Sequence, residues 1–231
     1  RSSAAEAIRI VRTNLDFILS DKAEEECKVI FLTSTISGEG KTFVSANLAA
    51  TFSLSGKKVL LIGLDLRNPK LYEYVKVNPL GISNYITTNN KSLNDYISPV
   101  EGYENFDVLS SGSIPPNPTE ILMNKKIKEV FDTLKAQYDY IIVDTAPVSL
   151  VTDTLLISKY ADATIYVVRA NKIDKEMLRI PNELHRDKKL NKLSLVLNDS
   201  DASKGYGYGY GYGYGAKVEQ KPFWKRVFNI K

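Results

Sequence analysis

Two groups of side chains in this sequence could do chemistry together. Ser37-Gly38-Glu39-Gly40-Lys41-Thr42 is a glycine-bracketed loop that ends in a lysine and a hydroxyl. Glycines let successive backbone N–H groups converge on phosphate oxygens, and a helix starting at the lysine adds its positive dipole end. In such a loop the lysine reaches the outer phosphates and the hydroxyl reaches Mg²⁺. Towards the other end, residues 204–215 read KGYGYGYGYGYG, which sets Tyr206, Tyr208, Tyr210, Tyr212 and Tyr214 each before a glycine. A triphosphate site together with a pliable row of phenolic hydroxyls suggests phosphotransfer onto the chain's own tail.

Two carboxylates extend the first half. Ile141-Ile142-Val143-Asp144 ends an apolar run in an acid, where it could organise Mg²⁺ and its waters; alone, such an Asp serves equally as a helix cap or turn residue. Leu60-Leu61-Ile62-Gly63-Leu64-Asp65-Leu66-Arg67-Asn68-Pro69 supplies the second, with a solvated Asp65–Arg67 turn as the competing reading. The first glycine of the G-x-x-x-x-G-K-[ST] pattern is replaced by Thr35, so the loop match is incomplete. An ordinary glycine turn with a solvated lysine is the alternative; the order strand, loop, helix argues against it.

Positioning these groups requires particular elements. Ile8, Val11, Leu15, Ile18 and Leu19 recur at helical spacing, so residues 4–20 read as an amphipathic helix. Residues 29–33, 59–64 and 106–109 read as short buried strands, 140–143, 164–168 and 193–197 as further strands, and residues 42–54, 120–134, 153–159 and 177–188 as helices. Uninterrupted apolar strands alternating with helices predict an α/β domain with a mostly parallel sheet covered on both faces. After Asn198 the periodicity stops. Gly, Ser and Tyr dominate residues 199–217, a composition expected to be disordered. The expected division is a folded domain over residues 1–199 and a flexible tail over 200–231.

Composition narrows the function classes. The chain has 231 residues and 43% hydrophobic content, enough for one core. Its net charge of +4 resides in residues 201–231, with six basic and two acidic residues, leaving residues 1–200 balanced. A nucleic-acid partner is therefore not expected. One cysteine, Cys27, excludes an internal disulfide, and with one histidine, His185, a His/Cys metal site is not expected. The longest apolar runs fall well short of the roughly 20 residues of a membrane helix, and nothing in the opening residues suggests a secretory leader.

Taken in order, these residues resemble the bacterial tyrosine kinases of capsule and exopolysaccharide export, the Wzc/CapB-like relatives of the MinD/ParA phosphate-loop ATPases. Glu6, Arg9 and Arg12 match that family's E-x-x-R-x-x-R motif. Gly38-Glu39-Gly40-Lys41-Thr42 matches its Walker A loop, Asp65-Leu66-Arg67-Asn68-Pro69 its Walker A′ segment, and Asp144-Thr145-Ala146-Pro147 its Walker B. Pro116-Asn117-Pro118-Thr119-Glu120-Ile121-Leu122, Val167-Val168-Arg169 and the tyrosine cluster complete the series. Any one of these motifs is weak; their order is specific.

The resemblance implies ATP and Mg²⁺ as cofactors, with Ser37, Gly38, Glu39, Gly40, Lys41, Thr42 and Phe43 around the nucleotide. Thr42, Asp65 and Asp144 would hold the metal, Lys41, Asp65 and Asp144 would be catalytic, and the five tail tyrosines would accept phosphate. Asn198 binds adenine by analogy with related ATPases, or is a turn residue. The resemblance further implies autophosphorylation in trans within a homo-oligomeric ring, an octamer being one stoichiometry, with Glu6, Arg9 and Arg12 at the subunit contact; the plain alternative for these three is a solvated helix face. Control of polysaccharide polymerisation and export, a membrane adaptor in the same or a separate chain, and a cognate tyrosine phosphatase belong to the same expectation. So does a place at the cytoplasmic face of the inner membrane for a chain itself soluble; starting at Arg1 suits a domain cut from a longer protein.

Two departures stand out. The family's Walker A′ carries D-x-D, and here Gly63 occupies the first position. Ile36 stands where MinD/ParA proteins have a signature lysine, which favours the kinase branch over a positioning ATPase. A nucleotide-gated scaffold without catalysis is the other alternative, suggested by Gly63. Iron–sulfur carriers of the same fold are excluded for want of a C-x-x-C pair. The last residues, Lys221-Pro222-Phe223-Trp224-Lys225-Arg226-Val227-Phe228-Asn229-Ile230-Lys231, suit an anionic membrane surface, a protein partner or no role at all.

Overall fold

Alternate residues of the central strands serve two different cores, and that demand explains their unbroken apolar sequence. In a computed structural model describing residues 3–88 and 91–200, β1 (Lys28–Ser34) is buried at all seven positions. Val29 and Phe31 join Leu60, Ile62, Ile141 and Val143 in one core, while Ile30 and Leu32 join Val59, Leu61 and Ile142 in the other. The five tyrosines and the aromatic, basic end lie outside the described residues.

The sheet has the strand order β3-β4-β2-β5-β1-β6-β7. Here β2 is Val59–Gly63, β3 Ile97–Pro99, β4 Phe106–Leu109, β5 Tyr140–Asp144, β6 Ala163–Arg169 and β7 Leu193–Asn198. All pairings are parallel except the short β3, antiparallel to β4. Parallel pairing brings the carboxyl ends of β1, β2, β5, β6 and β7 to one edge, where open α/β sheets bind ligands. Helices α1 (Ser3–Ile18) and α2 (Lys41–Ser53) cover one face, with Ile8, Leu15, Val44, Leu48 and Phe52 in its core. Helix α5 (Lys125–Lys135) covers the other through Ile127, Val130, Phe131 and Leu134.

Three expected helices differ in detail. The stretch read as one helix over 120–134 is two, α4 (Pro118–Met123) and α5, broken at Asn124. The Asn124 side chain accepts from the Lys126 N–H at 3.0 Å, a helix cap inside what apolar periodicity alone treats as continuous. The helix expected over 153–159 is α6 (Asp153–Ile157) followed by a 3₁₀ turn. That over 177–188 is α7 (Arg179–Arg186) preceded by a 3₁₀ turn, with Pro181 in the first helical turn, where its missing N–H costs nothing. Strand β3 and the short helix α3 (Ile82–Thr87) were not anticipated. Among the described residues no helix is long and apolar enough to cross a membrane.

Phe131 sits in the middle of its core, with its ring centroid 6.0 Å from that of Phe31 and stacked on Tyr160 at 4.8 Å. Phe131→Ala should cost about 3–5 kcal/mol. Urea denaturation should show a lowered midpoint with little change in slope.

Candidate active site

The phosphate loop joins β1 to α2 through two glycines with left-handed backbones, Gly38 at φ 85° and Gly40 at φ 92°. Gly40 is doubly constrained, since a Cβ there would lie 2.1 Å from Asn198 Nδ2. The Asn198 amide donates to the Glu39 carbonyl at 3.0 Å, so this residue at the end of β7 buttresses the loop. Glu39 turns its side chain inward. Fully buried, its carboxylate accepts from the Ile36 N–H at 2.8 Å and the Arg169 N–H at 3.4 Å. That carboxylate is therefore engaged within the fold rather than presented to a ligand. Phe43 is half-buried, its ring meeting Tyr74 edge-on at 6.3 Å. Ser37 and Gly38 are exposed at the loop tip.

The carboxylates arrive from the adjacent strands. Asp144 pairs in register with Leu32 of β1 and Gly63 of β2. Its Oδ2 accepts from the Thr42 hydroxyl at 2.7 Å, and its Oδ1 lies 3.4 Å from Ser45 Oγ. Lys41 Nζ stands 3.9 Å from Asp65 Oδ2, with both side chains at most 10% exposed. Asp65 Oδ1 accepts from the Asn68 N–H at 3.0 Å. The solvated Asp65–Arg67 turn does not form: Asp65 is buried, and Arg67 reaches Asp153 instead. Burial pushes the Asp144 carboxyl up to about 6, against the downward pull of Lys41 and the Thr42 hydroxyl.

Lys41, Thr42, Asp65 and Asp144 therefore converge, and Asn198 meets the loop from the far side. Glu6, Arg9 and Arg12 lie on α1, away from the carboxyl edge; Arg9 Nη1 donates to Glu6 Oε2 at 2.8 Å on an exposed face. The donors around Asp144 are all oxygen, and among the described residues no cluster of three or more His, Cys, Asp or Glu forms. That set suits Mg²⁺, which takes one or two carboxylates and completes its shell with phosphates and water.

Several residues of the site were given no role there by the sequence. Ser45 lies three positions after Thr42 on α2, the same helical face, and that spacing could have found it. Arg169 donates from Nη1 to the Gly38 carbonyl at 3.2 Å, and Lys172 Nζ lies 3.8 Å from where a Cβ on Gly38 would stand. Ser111 is another. Its buried hydroxyl lies 3.0 Å from the Gly63 carbonyl and 3.4 Å from that of Asp65. A Cβ on Gly63 would meet that hydroxyl at 2.9 Å, the Ser111 N at 3.3 Å and Leu71 Cδ2 at 3.4 Å.

Two outcomes follow from this packing. Gly63→Ala should destabilise by about 1–3 kcal/mol through overpacking, read as a lowered midpoint in thermal denaturation. Asp144 holds its proton more tightly folded than unfolded, from 3.8 up to about 6, so the native state binds more protons between those values. Stability of the metal-free protein therefore falls as pH rises from about 4 to about 6, by about 3 kcal/mol in all, and stays lowered above that. Asp144→Asn should raise the melting temperature at pH 7.5 in the presence of a chelator, while abolishing the Mg²⁺ dependence of nucleotide binding measured by calorimetry.

Comparison with known proteins agrees with this geometry. Residues 27–179 match a family model described as an AAA domain. Tyrosine-protein kinase YwqD of Bacillus subtilis is 35% identical over 205 residues, 88% of this chain and 84% of its own length. The tyrosine-protein kinase etk of Escherichia coli is 36% identical over 168 residues, 72% of this chain but 22% of its own length. The solved kinase domain of Escherichia coli ETK superposes with a TM-score of 0.78 at 32% identity, covering 91% of this chain and 82% of that one. The septum site-determining protein MinD of Pyrococcus horikoshii, solved with Mg-ADP, shares the fold at a TM-score of 0.59 and 24% identity over 74% of this chain and 70% of its own. A phosphate loop with acids at the ends of two neighbouring strands thus sits on a MinD/ParA-type sheet, and the chain belongs to the Wzc/CapB-like bacterial tyrosine-protein kinases, which use ATP to phosphorylate protein tyrosine.

Proposed function

We propose that this kinase phosphorylates its own tail, at Tyr206, Tyr208, Tyr210, Tyr212 and Tyr214, with each tail entering the site of a neighbouring copy. The observation that carries this reading is the convergence of Lys41, Thr42, Asp65 and Asp144 in a chain that also has five glycine-spaced tyrosines. A tyrosine hydroxyl has a pKa near 10, so at neutral pH it is a protonated, weak nucleophile. Phosphoryl transfer asks mainly for placement and charge neutralisation. Lys41 neutralises phosphate charge. Thr42 and Asp144 hold Mg²⁺, with Asp65 beside them; when bound, the metal offsets charge on the phosphate oxygens. Asp65 orients the incoming hydroxyl, and Asn198, by analogy with related ATPases, contacts the adenine.

The catalytic body corresponds to residues 1–199 and the substrate tail to 200–231. In this reading Glu6, Arg9 and Arg12 form a subunit contact in a ring, and a membrane adaptor and a tyrosine phosphatase are its partners in capsule or exopolysaccharide export. Five phosphates would turn the +4 of residues 201–231 into about −4 to −6. Two residues of extended chain span about 7 Å, within the screening length of about 8 Å, so phosphates on neighbouring sites would repel. That reversal expels the tail from adjacent sites and loosens the ring.

Incubating the protein with Mg·ATP and weighing it intact tests this. Mass should rise in steps of one phosphate on the C-terminal peptide, and Lys41→Met should slow the gain at least about a hundredfold. Phosphate release without phosphotyrosine would point instead to a MinD-like ATPase. Nucleotide binding with neither would point to a gated scaffold, the alternative suggested by Gly63.

A further inference from the structure

Arg67 reaches across the carboxyl edge of the sheet to a residue 86 positions away. Its Nε donates to Asp153 Oδ2 at 2.7 Å, and its Nη2 lies 3.1 Å from Asp153 Oδ1 and 3.0 Å from Thr119 Oγ1. The Thr119 hydroxyl in turn donates to Asp153 Oδ1 at 3.2 Å. The Asp153 side chain is 2% exposed, that of Arg67 41%. Asp153 opens α6 and Thr119 lies in the first turn of α4, so one guanidinium ties together the segments that follow β2, β4 and β5.

The segment holding Asp65 needs such a tie. Residues 64–70 form neither helix nor strand, so no backbone ladder fixes them. Leu64 N–H donates to the Asp144 carbonyl at 2.7 Å, and Ser111 pins the carbonyls of Gly63 and Asp65. Beyond Asp65 the main anchors are the buried Leu66 and the fork of Arg67. Because Gly63 carries no acid and its surroundings are filled by Ser111 and Leu71, Asp65 is the segment's one carboxylate. If it drifts, no neighbour in the segment replaces it.

We propose that the Arg67–Asp153–Thr119 brace is a positioning device that sets Asp65 against Lys41, and that Arg67 serves the reaction through Asp65. This rests on the reading of Asp65 as the group that orients the tyrosine. Two parallel N–H···O bonds fix direction as well as distance, which a lysine, a single point charge, cannot reproduce. An ion pair whose guanidinium is 41% exposed contributes little net stability, so geometry is the more economical account of this one.

Arg67→Lys keeps the charge and removes the fork. At saturating Mg·ATP it should lower the autophosphorylation rate at least tenfold while leaving the affinity for a fluorescent ADP analogue within twofold. Amide exchange over residues 64–70 should accelerate at least tenfold. Thr119→Val, a milder change for the case where Arg67→Lys folds poorly, should move both readouts the same way, and Thr119→Ser should restore them. Unchanged exchange over residues 64–70, an unchanged rate, or rate and nucleotide affinity falling together would overturn the proposal. Absence of any phosphate gain in the unsubstituted protein would fell the tyrosine-orienting reading, while the exchange measurement still decides whether the brace holds the segment.

Discussion

One lysine and two carboxylates share a nearly dry site, and the rest of this molecule is arranged around that imbalance. Lys41 and Asp65 keep at most a tenth of their side-chain surface in water, and Asp144 less still. Removing charges from water is costly unless opposite charge and hydrogen bonds compensate. Lys41, the hydroxyl of Thr42 and the N-terminal end of α2 compensate in part. The remainder shows as the raised proton affinity of Asp144, and a divalent cation is the natural complement of a buried acid in that condition. The site thus carries an electrostatic load that a bound cation would relieve.

The sheet order makes this juxtaposition possible. With β5 between β1 and β2, Asp144 is delivered between the root of the phosphate loop and the segment that carries Asp65. The far side of the loop is held by β6 and β7, through the Arg169 N–H and guanidinium and the Asn198 amide. Glu39 acts as an internal post, its carboxylate bridging two backbone donors from different segments. A loop whose N–H groups must converge on phosphate cannot spend them on one another, so side chains from adjacent strands supply its rigidity.

The α/β class, the buried strands of the sheet and the phosphate loop were legible because each leaves a local mark. A strand covered on both faces must be apolar throughout, and a left-handed turn close to another side chain must be glycine, as at Gly40. The break at Asn124 was missed because a cap inside an apolar rhythm looks like an exposed polar position. Strand β3 was missed because three residues ending in proline carry no usable periodicity. The charged pair on α1 was readable from spacing alone, since helical neighbours three apart meet whatever the rest of the chain does.

By itself, the sequence determined which residue types were present for chemistry and that Lys41 and Thr42 would open a helix behind a glycine loop, because these depend on contacts between near neighbours. It could also say that Asp65 and Asp144 close strands. Only the tertiary structure decided that Arg67 pairs with Asp153 rather than with Asp65, that Ser111 fills the space over Gly63, and that Asn198 buttresses the phosphate loop. Those pairings join residues 48 to 159 positions apart. They are selected by strand order and burial, because a buried charge or amide takes whichever partner the packed fold brings within reach.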